Sequence, residues 1–414
     1  MIENMMKIKK GGPGRWIGLA EARAICFDKT PLIDKEEVHI IDCSGRVAFC
    51  DMTAIVNSPS VTASLKDGYA VHSSDVAAAS RQNPIRLVLS GTSAAGDSGT
   101  GPLATGCSAR ILTGAPLPQV ADAVVSQEFV NVQDGFALFT ADADPGRNVL
   151  VEGADVRIGE IILRRGEIPT PGRIGLLAAA GVSTLPVYRM PRILLIATGD
   201  EIVEPGTPLK KGGLYASNLV TLASYSVSRG LHADMRIVSD SPEYLKQAIT
   251  GANGPYDALC IIGGAWDGDR DFTMSTLDEL GWEPYFRRVR MGPGKAVSFG
   301  RLGGKPAFSL PGGPPSNHIA FLQLVLPSLL HMGGHMPPYL PLVRATLTEE
   351  VSGQEDWTQF IHAKLSSEEG ELKVTPLRSK SRLRDMADCD SLIEIPEGKT
   401  RIERASIIDV QRIV

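Results

Sequence analysis

The pattern of apolar and polar positions changes character twice along this chain. Residues 17–27 carry apolar side chains at helical spacing, with no glycine after Gly18, which predicts a helix. Residues 37–56 hold short β-prone runs, V-H-I-I-D and G-R-V-A-F. From 84 to 150 the apolar positions come in brief runs broken by Gly, Asp and Pro: I-R-L-V-L-S, A-R-I-L-T-G, D-A-V-V-S-Q-E-F-V-N-V and F-A-L-F-T-A. That stretch is predicted to be almost purely β. Near Pro191 continuous apolar runs take over. P-R-I-L-L-I-A-T-G reads as a strand buried on both faces, ending in a Thr-Gly loop. A helix over 217–229, a strand over 232–238 and a helix opening at Ser241 (a candidate N-cap, with Glu243 in the first turn) follow. Y-D-A-L-C-I-I-G-G and K-P-A-F-S-L-P-G-G are two further strand-and-loop units, and 316–331 reads as a helix. This alternation predicts an open, mostly parallel α/β sheet, whose ligands gather at the C-terminal strand ends. Pro337, Pro338 and Pro341 mark a linker. Beyond it the pattern alternates, with turns at Gly353, Gly370 and Gly398, and predicts a small β-barrel or sandwich.

Composition narrows the class. A chain of 414 residues is expected to form two to four domains, and 43% hydrophobic with 21% charged residues is globular. A net charge of −5 argues against binding duplex nucleic acid, which selects for basic excess. The six cysteines are scattered without a C-x-x-C pair, so neither a zinc site nor a disulfide framework is expected, and a reducing, cytoplasmic setting fits. The apolar segment 319–330 is interrupted by Pro327 and falls short of the ~20 residues a membrane span needs. Glycine is abundant, at 43 residues, which implies many tight turns and close backbone approaches.

Six constellations could carry chemistry. S-L-K-D-G-Y-A places Asp67 before Gly68, which a turn leading into a strand explains as well. I-L-T-G-A-P, with Thr113, is followed by A-D-A-V-V. Thr198, Gly199, Asp200 and Glu201 end the first α/β strand, where amides and a hydroxyl can cradle phosphate and two carboxylates call for a cation or donor. G-G-A-W-D-G-D-R-D, from Gly263 and Gly264, alternates carboxylates at Asp267, Asp269 and Asp271, the oxygen ligands that Mg²⁺ takes. M-G-P-G-K presents Lys295 on a Pro-Gly turn. L-P-G-G-P-P-S, with Pro311, Gly312 and Ser316, opens a helix and so has the geometry of an anion site, although a serine cap after a proline turn accounts for it equally. His331 and His335 have metal-ligand spacing, but the glycines between them read better as a helix end.

Singly these motifs are weak, but their order, from S-L-K-D-G-Y-A through T-G-A-P and P-R-I-L-L-I-A-T-G-D-E to L-P-G-G-P-P-S, resembles the MoeA family across nearly the whole chain. These are the molybdopterin molybdenumtransferases, whose domain also occurs in gephyrin and the plant Cnx proteins. The resemblance implies an elongated homodimer of four-part subunits with its active cleft between subunits. Residues 1–65 and 150–187 would form an elongated N-terminal domain and 66–149 an inserted β-rich domain. Residues 188–336 would form a MogA-like α/β molybdopterin-binding domain, and 337–414 a small β-barrel. The implied activity inserts molybdenum from molybdate into adenylylated molybdopterin, assisted by Mg²⁺, with release of AMP. A molybdopterin adenylyltransferase and molybdoenzyme clients are the implied partners.

By position, the resemblance implies catalytic roles for Asp67, Asp155, Glu201 and Asp271. It implies ligand contacts from Thr113, Thr198, Gly199, Asp200, Gly263, Gly264, Lys295, Pro311, Gly312 and Ser316, and a cation on Asp200, Glu201, Asp269 and Asp271. The chain also departs from the family pattern. Trp266 replaces a serine, Asp267 and Arg270 bring charge into that loop, Gly292 replaces a lysine and Gly313 an asparagine. Ala154 replaces a glutamate, Leu150 an arginine, and W-T-Q-F-I-H stands for R-x-E-F-x-R, so His362 holds an arginine position. These departures keep open a paralogue that binds molybdopterin or the finished cofactor without insertion, or a tungsten-specific insertase. A gephyrin-like scaffold is the third option.

Overall fold

The computed structural model describes residues 16–97, 101–252, 254–263, 272–379 and 381–413. The chain divides into two compact units, one of Met1–Glu36, Gly45–Val47 and Tyr188–Val414, the other of Glu37–Ser44 and Ala48–Val187.

The larger unit is built on a six-stranded sheet. Its elements are β1 (Arg192–Thr198), α1 (Ser217–Ser228), β2 (His232–Val238), α2 (Pro242–Thr250), β3 (Ala258–Ile262), α3 (Phe272–Glu279), β4 (Glu283–Phe286), β5 (Ser298–Leu302) and β6 (Lys305–Leu310). The strand order is β2-β1-β3-β6-β5-β4. The first four strands run parallel, and β5 and β4 add antiparallel to the far edge. The sheet divides two hydrophobic cores, and β1 shows why its sequence is continuously apolar. Side chains alternate faces, so Ile193, Leu195 and Ala197 enter one core with Leu219, Phe299 and Phe308, while Leu194 and Ile196 enter the other with Leu245, Leu277 and Trp282.

After β6 the chain enters a long helical segment, α4 (Pro314–Ala320), which widens into a π turn at Phe321–Val325 and continues as α5 (Leu326–Met332). Pro327 explains the widening: it lacks the N–H for the bond to residue 323 and its ring crowds that turn. The π turn is also where Gln323 is held. Arg23 donates to its Oε1, and its Nε2 donates to Gln411 at 2.8 Å, while Gln411 donates to Glu394 at 2.7 Å. This half-buried chain of polar contacts ties the helix Leu19–Lys29 to the barrel.

The barrel follows as β7 (Leu342–Leu347), β8 (Thr358–Glu368), β9 (Glu371–Pro376), α6 (Arg382–Asp388), β10 (Ser391–Ile395) and β11 (Ile407–Arg412). The pairing β8-β9-β7-β11-β10 closes through a second contact of β10 with β8, so the five strands leave no edge among themselves. The strand Val289–Gly292 joins this sheet, with Met291 opposite Thr358 and Gly292 opposite Gln359.

The smaller unit contains a second six-stranded sheet, ordered Ala123–Ser126, Gly68–Val71, Cys107–Ile111, Ile85–Ser93, Phe136–Phe139, Val130–Gln133. A separate core packs around the helix Pro171–Ala179, from Ile40, Ala54, Ile162, Leu163, Leu177, Leu185 and Val187.

Two expectations hold with an addition and two are corrected. The stretch 84–150 is almost purely β, as expected, but after Ser126 a 3₁₀ turn, Gln127–Phe129, splits one run into strands at opposite edges of the sheet. G-R-V-A-F is no strand; Ala48 makes only an isolated bridge to Val187. Ser241 does sit at the N-cap of α2, but its hydroxyl donates to Glu243 Oε2 at 2.9 Å instead of capping an amide. The C-terminal stretch forms the expected small β-barrel, with α6 inserted between β9 and β10.

Candidate functional site

The strand order sets where a ligand fits in the larger unit. From β1 the chain leads outward to β2, and from β3 it leads the other way toward β6, so the ends of β1 and β3 diverge at a switch point. A cavity of about 1000 Å³ opens there, a size suited to a nucleotide-scale ligand. Thr198, Gly199, Glu201, Gly263, Pro311 and Gly312, all expected from sequence, line it.

Backbone close approach shapes this floor. Gly263 has φ +103°, and a Cβ on it would lie 2.8 Å from Thr198 Oγ1 and 3.0 Å from Thr198 O. A Cβ on Gly312 would in turn meet Gly263 Cα at 3.9 Å, so the three strand-end loops converge. Glycine is needed at 263 because no L side chain fits that conformation or that gap.

Two helices point their N-termini at the cavity and differ as anion donors. Ala216, Ser217, Asn218 and Leu219 of α1 line it, and α1 has no side-chain cap. By helix geometry the amides of Ser217, Asn218 and Leu219 have no carbonyl a turn behind them, which makes this the electropositive pole of the site. At α4, Pro314 and Pro315 remove two such amides, and that of Asn317 already donates to Gly313 O at 2.8 Å. Asparagines brace the loop between them: Asn218 Nδ2 donates to Gly312 O at 2.7 Å and Asn317 Nδ2 to Pro311 O at 3.2 Å. Neither asparagine carries a role predicted from the sequence.

The remaining walls come from the loop after β1 and from the barrel. Ile202–Val203 pairs with Leu214–Tyr215, holding Leu214 and Tyr215 on the cavity. Ser381, Arg382 and Leu383, at the start of α6, also line it. The sequence reading missed this basic contribution; its signal was the charged run L-R-S-K-S-R-L-R with Ser381, whose Oγ accepts from Arg384 N.

The predicted site residues fall into distinct groups. Asp200, Lys295 and Ser316 do not line the cavity. Asp200 Oδ1 accepts from Asp240 N at 3.1 Å, bracing the loop after β2, and Asp240 itself reaches the cavity. Lys295 is exposed on the loop that joins the strand Val289–Gly292 to β5. A Cβ on Gly294 would meet Ser316 O at 3.1 Å, so that loop packs on the first turn of α4 and brings the two motifs together. Gly264, Asp269 and Asp271, with Trp266, Asp267 and Arg270, lie outside the described residues. Among the described residues no group of three His, Cys, Asp or Glu side chains could hold a metal ion.

In the smaller unit Asp67 and Thr113 meet. The amide and the hydroxyl of Thr113 both donate to Asp67 Oδ1, at 2.7 and 2.8 Å. These bonds, with some help from Arg110, hold the Asp67 carboxyl below the ordinary carboxylate range. Asp155 is exposed in a turn whose backbone bonds to Ser58 O at 2.9 Å. The spaced histidines end α5: His331 lies against the Phe27 ring at 4.0 Å, and His335 Nδ1 is 3.2 Å from Leu330 O.

Comparison with known proteins places this architecture. Residues 17–181 match the model of the MoeA N-terminal region (domains I and II), 194–331 that of a probable molybdopterin binding domain, and 344–413 that of the MoeA C-terminal region (domain IV). A molybdopterin molybdenumtransferase of Haemophilus influenzae is 30% identical over 365 residues, covering 86% of this chain and 88% of the relative. One from Bacillus subtilis is 30% identical over 387 residues, covering 91% and 89%. Among solved structures, a molybdopterin biosynthesis MoeA protein from Pyrococcus horikoshii superposes with a TM-score of 0.83 at 31% identity, covering 97% of this chain and all of that one. With matches running from Ile17 to Ile413 and in this order, the chain belongs to the MoeA family.

Proposed function

We propose that this protein is a molybdenumtransferase of molybdenum cofactor biosynthesis, which inserts molybdenum from molybdate into adenylylated molybdopterin and releases AMP. The carrying observation is the cavity at the ends of β1, β3 and β6, where the uncapped N-terminus of α1, the Thr198 hydroxyl and glycine-lined backbone offer donors to phosphate beside the Glu201 carboxylate. Arg382 adds a fixed positive charge from the barrel side. Such a reaction is governed by placement and charge more than by covalent help from the protein.

The donor set fits Mg²⁺, which takes one or two carboxylates plus substrate phosphates and keeps several waters. Glu201, which lines the cavity, would hold it, and Asp200, Asp269 and Asp271 are the further carboxylates the sequence offers. When bound, the ion would act as a Lewis acid on the phosphoanhydride. Asp67, kept ionised by Thr113, supplies a fixed anionic acceptor, and Asp155 a second carboxylate. We further propose that the protein works as a cytoplasmic homodimer with the cleft completed between subunits, and that it receives substrate from a molybdopterin adenylyltransferase and serves molybdoenzymes.

One observation favours a binding-only paralogue. His362, at a position where the resemblance has arginine, is buried against His318 and supplies no fixed charge. Complementation separates the two readings. Expressed in a bacterial strain lacking its own molybdenumtransferase, at micromolar molybdate, this chain restores molybdoenzyme activity and its Asp67→Asn variant does not. Failure of the wild-type chain at normal expression would select the binding-only reading.

A further inference from the structure

His318 lies outside every motif considered above, and its partner His362 is the residue that stands where the resemblance has arginine. His318 stands on α4, one turn beyond the glycine-proline loop at the cavity, and His362 on β8 of the barrel. Their Nδ1 and Nε2 atoms are 3.0 Å apart, so one carries the proton and the other accepts. The rings are parallel within 5°, with centroids at 5.2 Å. His318 is 1% exposed and its Nε2 has no partner among the described residues, whereas His362, 8% exposed, is the ring in touch with solvent.

Several groups face the pair. From α1 comes Tyr225, stacked on His318 at 5.1 Å, with Arg229 one turn on, bonded to Ile413 O. From α6 comes Asp385, whose charge acts on His362; just past its end Cys389, whose thiol is pushed up to about 11 by burial, acts on Tyr225. β10 places Leu392 opposite His362. α6 packs on both α4 and β8, the two elements that carry the histidines, and the same α6 brings Ser381, Arg382 and Leu383 to the cavity.

We propose that His318 and His362 are positioning residues for the ligand cavity: their neutral imidazole–imidazole hydrogen bond locks α4, β8 and α6 together, and acidification releases α6 with its Arg382 from the cavity wall. Burial, with the second ring nearby, pulls the His318 imidazole down to about 3, and burial pulls His362 below the ordinary histidine range, partly offset by Asp385. Groups depressed in the closed arrangement but ordinary in the open one cost nothing above about pH 6.5. Below it the open arrangement binds protons that the closed one does not, and the bias toward opening grows roughly tenfold per pH unit for each imidazole. Substrate affinity is therefore steady near neutrality and falls as pH drops below about 6.5.

The inference takes the cavity to be the site proposed above, but its first test needs no ligand. Hydrogen exchange of the full chain is followed in peptides covering 381–389 at pH 7.5 and 5.5, corrected for intrinsic rates and referenced to peptides of β1. With both imidazoles titrating, wild type is expected to lose roughly a hundredfold protection there at pH 5.5. His362→Gln keeps a donor at the Nε2 position and leaves only His318 to titrate, so it is expected to lose roughly tenfold. Equal protection of wild type at both pH values, or an equal loss in His362→Gln, would overturn the proposal. A second arm compares AMP dissociation constants of wild type and His362→Gln at each pH, so that the titration of AMP itself cancels. The ratio is expected near one at pH 7.5 and at least threefold in favour of the variant at pH 5.5; a flat ratio refutes the link to the cavity. Absence of AMP binding by both proteins would count against the proposed function, and the exchange arm would still decide this inference.

Discussion

Gly263→Ala tests the geometry that creates the cavity. Two costs arise from the structure. The backbone sits at φ +103°, where an L side chain is strained by about 1–3 kcal/mol. The new Cβ would also lie 2.8 Å from Thr198 Oγ1 and 3.0 Å from Thr198 O. The threonine carbonyl cannot retreat freely, because β1 is laddered on both sides, to β2 and β3. Relief requires the ends of β1 and β3 to part, an overpacking cost of about 1–3 kcal/mol. The sum is about 2–6 kcal/mol, a large fraction of the 5–15 kcal/mol that holds a typical domain. Gly206→Ala is the matched control, since Gly206 has φ +92° and nothing within 4 Å of a Cβ. Urea unfolding followed by tryptophan fluorescence should place Gly263→Ala below Gly206→Ala by about 1–3 kcal/mol, the clash alone. AMP affinity should fall only in Gly263→Ala. Equal midpoints for the two variants would refute the convergence of strand ends on which the site rests.

Thr113→Val removes one of the two donors that hold Asp67 ionised, so the Asp67 carboxyl should rise back toward its ordinary value, as a carboxylate-resolved NMR titration would show. Because the Asp67 value is depressed, any function that needs its charge is complete above about pH 4 and is lost only as pH falls through the depressed value. Asp257→Asn weakens a bidentate pair with Arg189, at 2.7 and 2.9 Å, at the base of β1; with the arginine side chain 36% exposed, solvent screening limits the loss to about 1 kcal/mol in urea unfolding. Arg382→Ala should weaken AMP binding several-fold without moving the unfolding midpoint, since the side chain is exposed on the cavity wall.

What could be read from the chain, and what could not, follows from burial. β1 and β3 were legible because a strand covered on both faces must be apolar at every position, and few other structures demand that. The loops at their ends were legible because close approach demands glycine, as at Gly263. α6 left no such trace. None of its residues is buried, so it has no apolar stripe for periodicity to detect, and the Arg382 it brings to the cavity went unassigned. The split of the run after Ala123 was hidden for another reason: both halves have strand-forming sequence, and only the 3₁₀ turn Gln127–Phe129 sends them to different edges. The Asp67–Thr113 pair was foreseen only as two members of separate motifs, and its hydrogen bonds join residues 46 positions apart. The His318–His362 contact joins two elements 44 residues apart, with no local signal at either end.

The most direct test is a single-turnover reaction of the purified protein with adenylylated molybdopterin, molybdate and Mg²⁺, measuring AMP released and molybdenum retained in active cofactor. The account predicts about one AMP released for each molybdenum inserted, dependent on molybdate and lost in Asp67→Asn. Tight binding of adenylylated molybdopterin with no molybdate-dependent AMP release would contradict it.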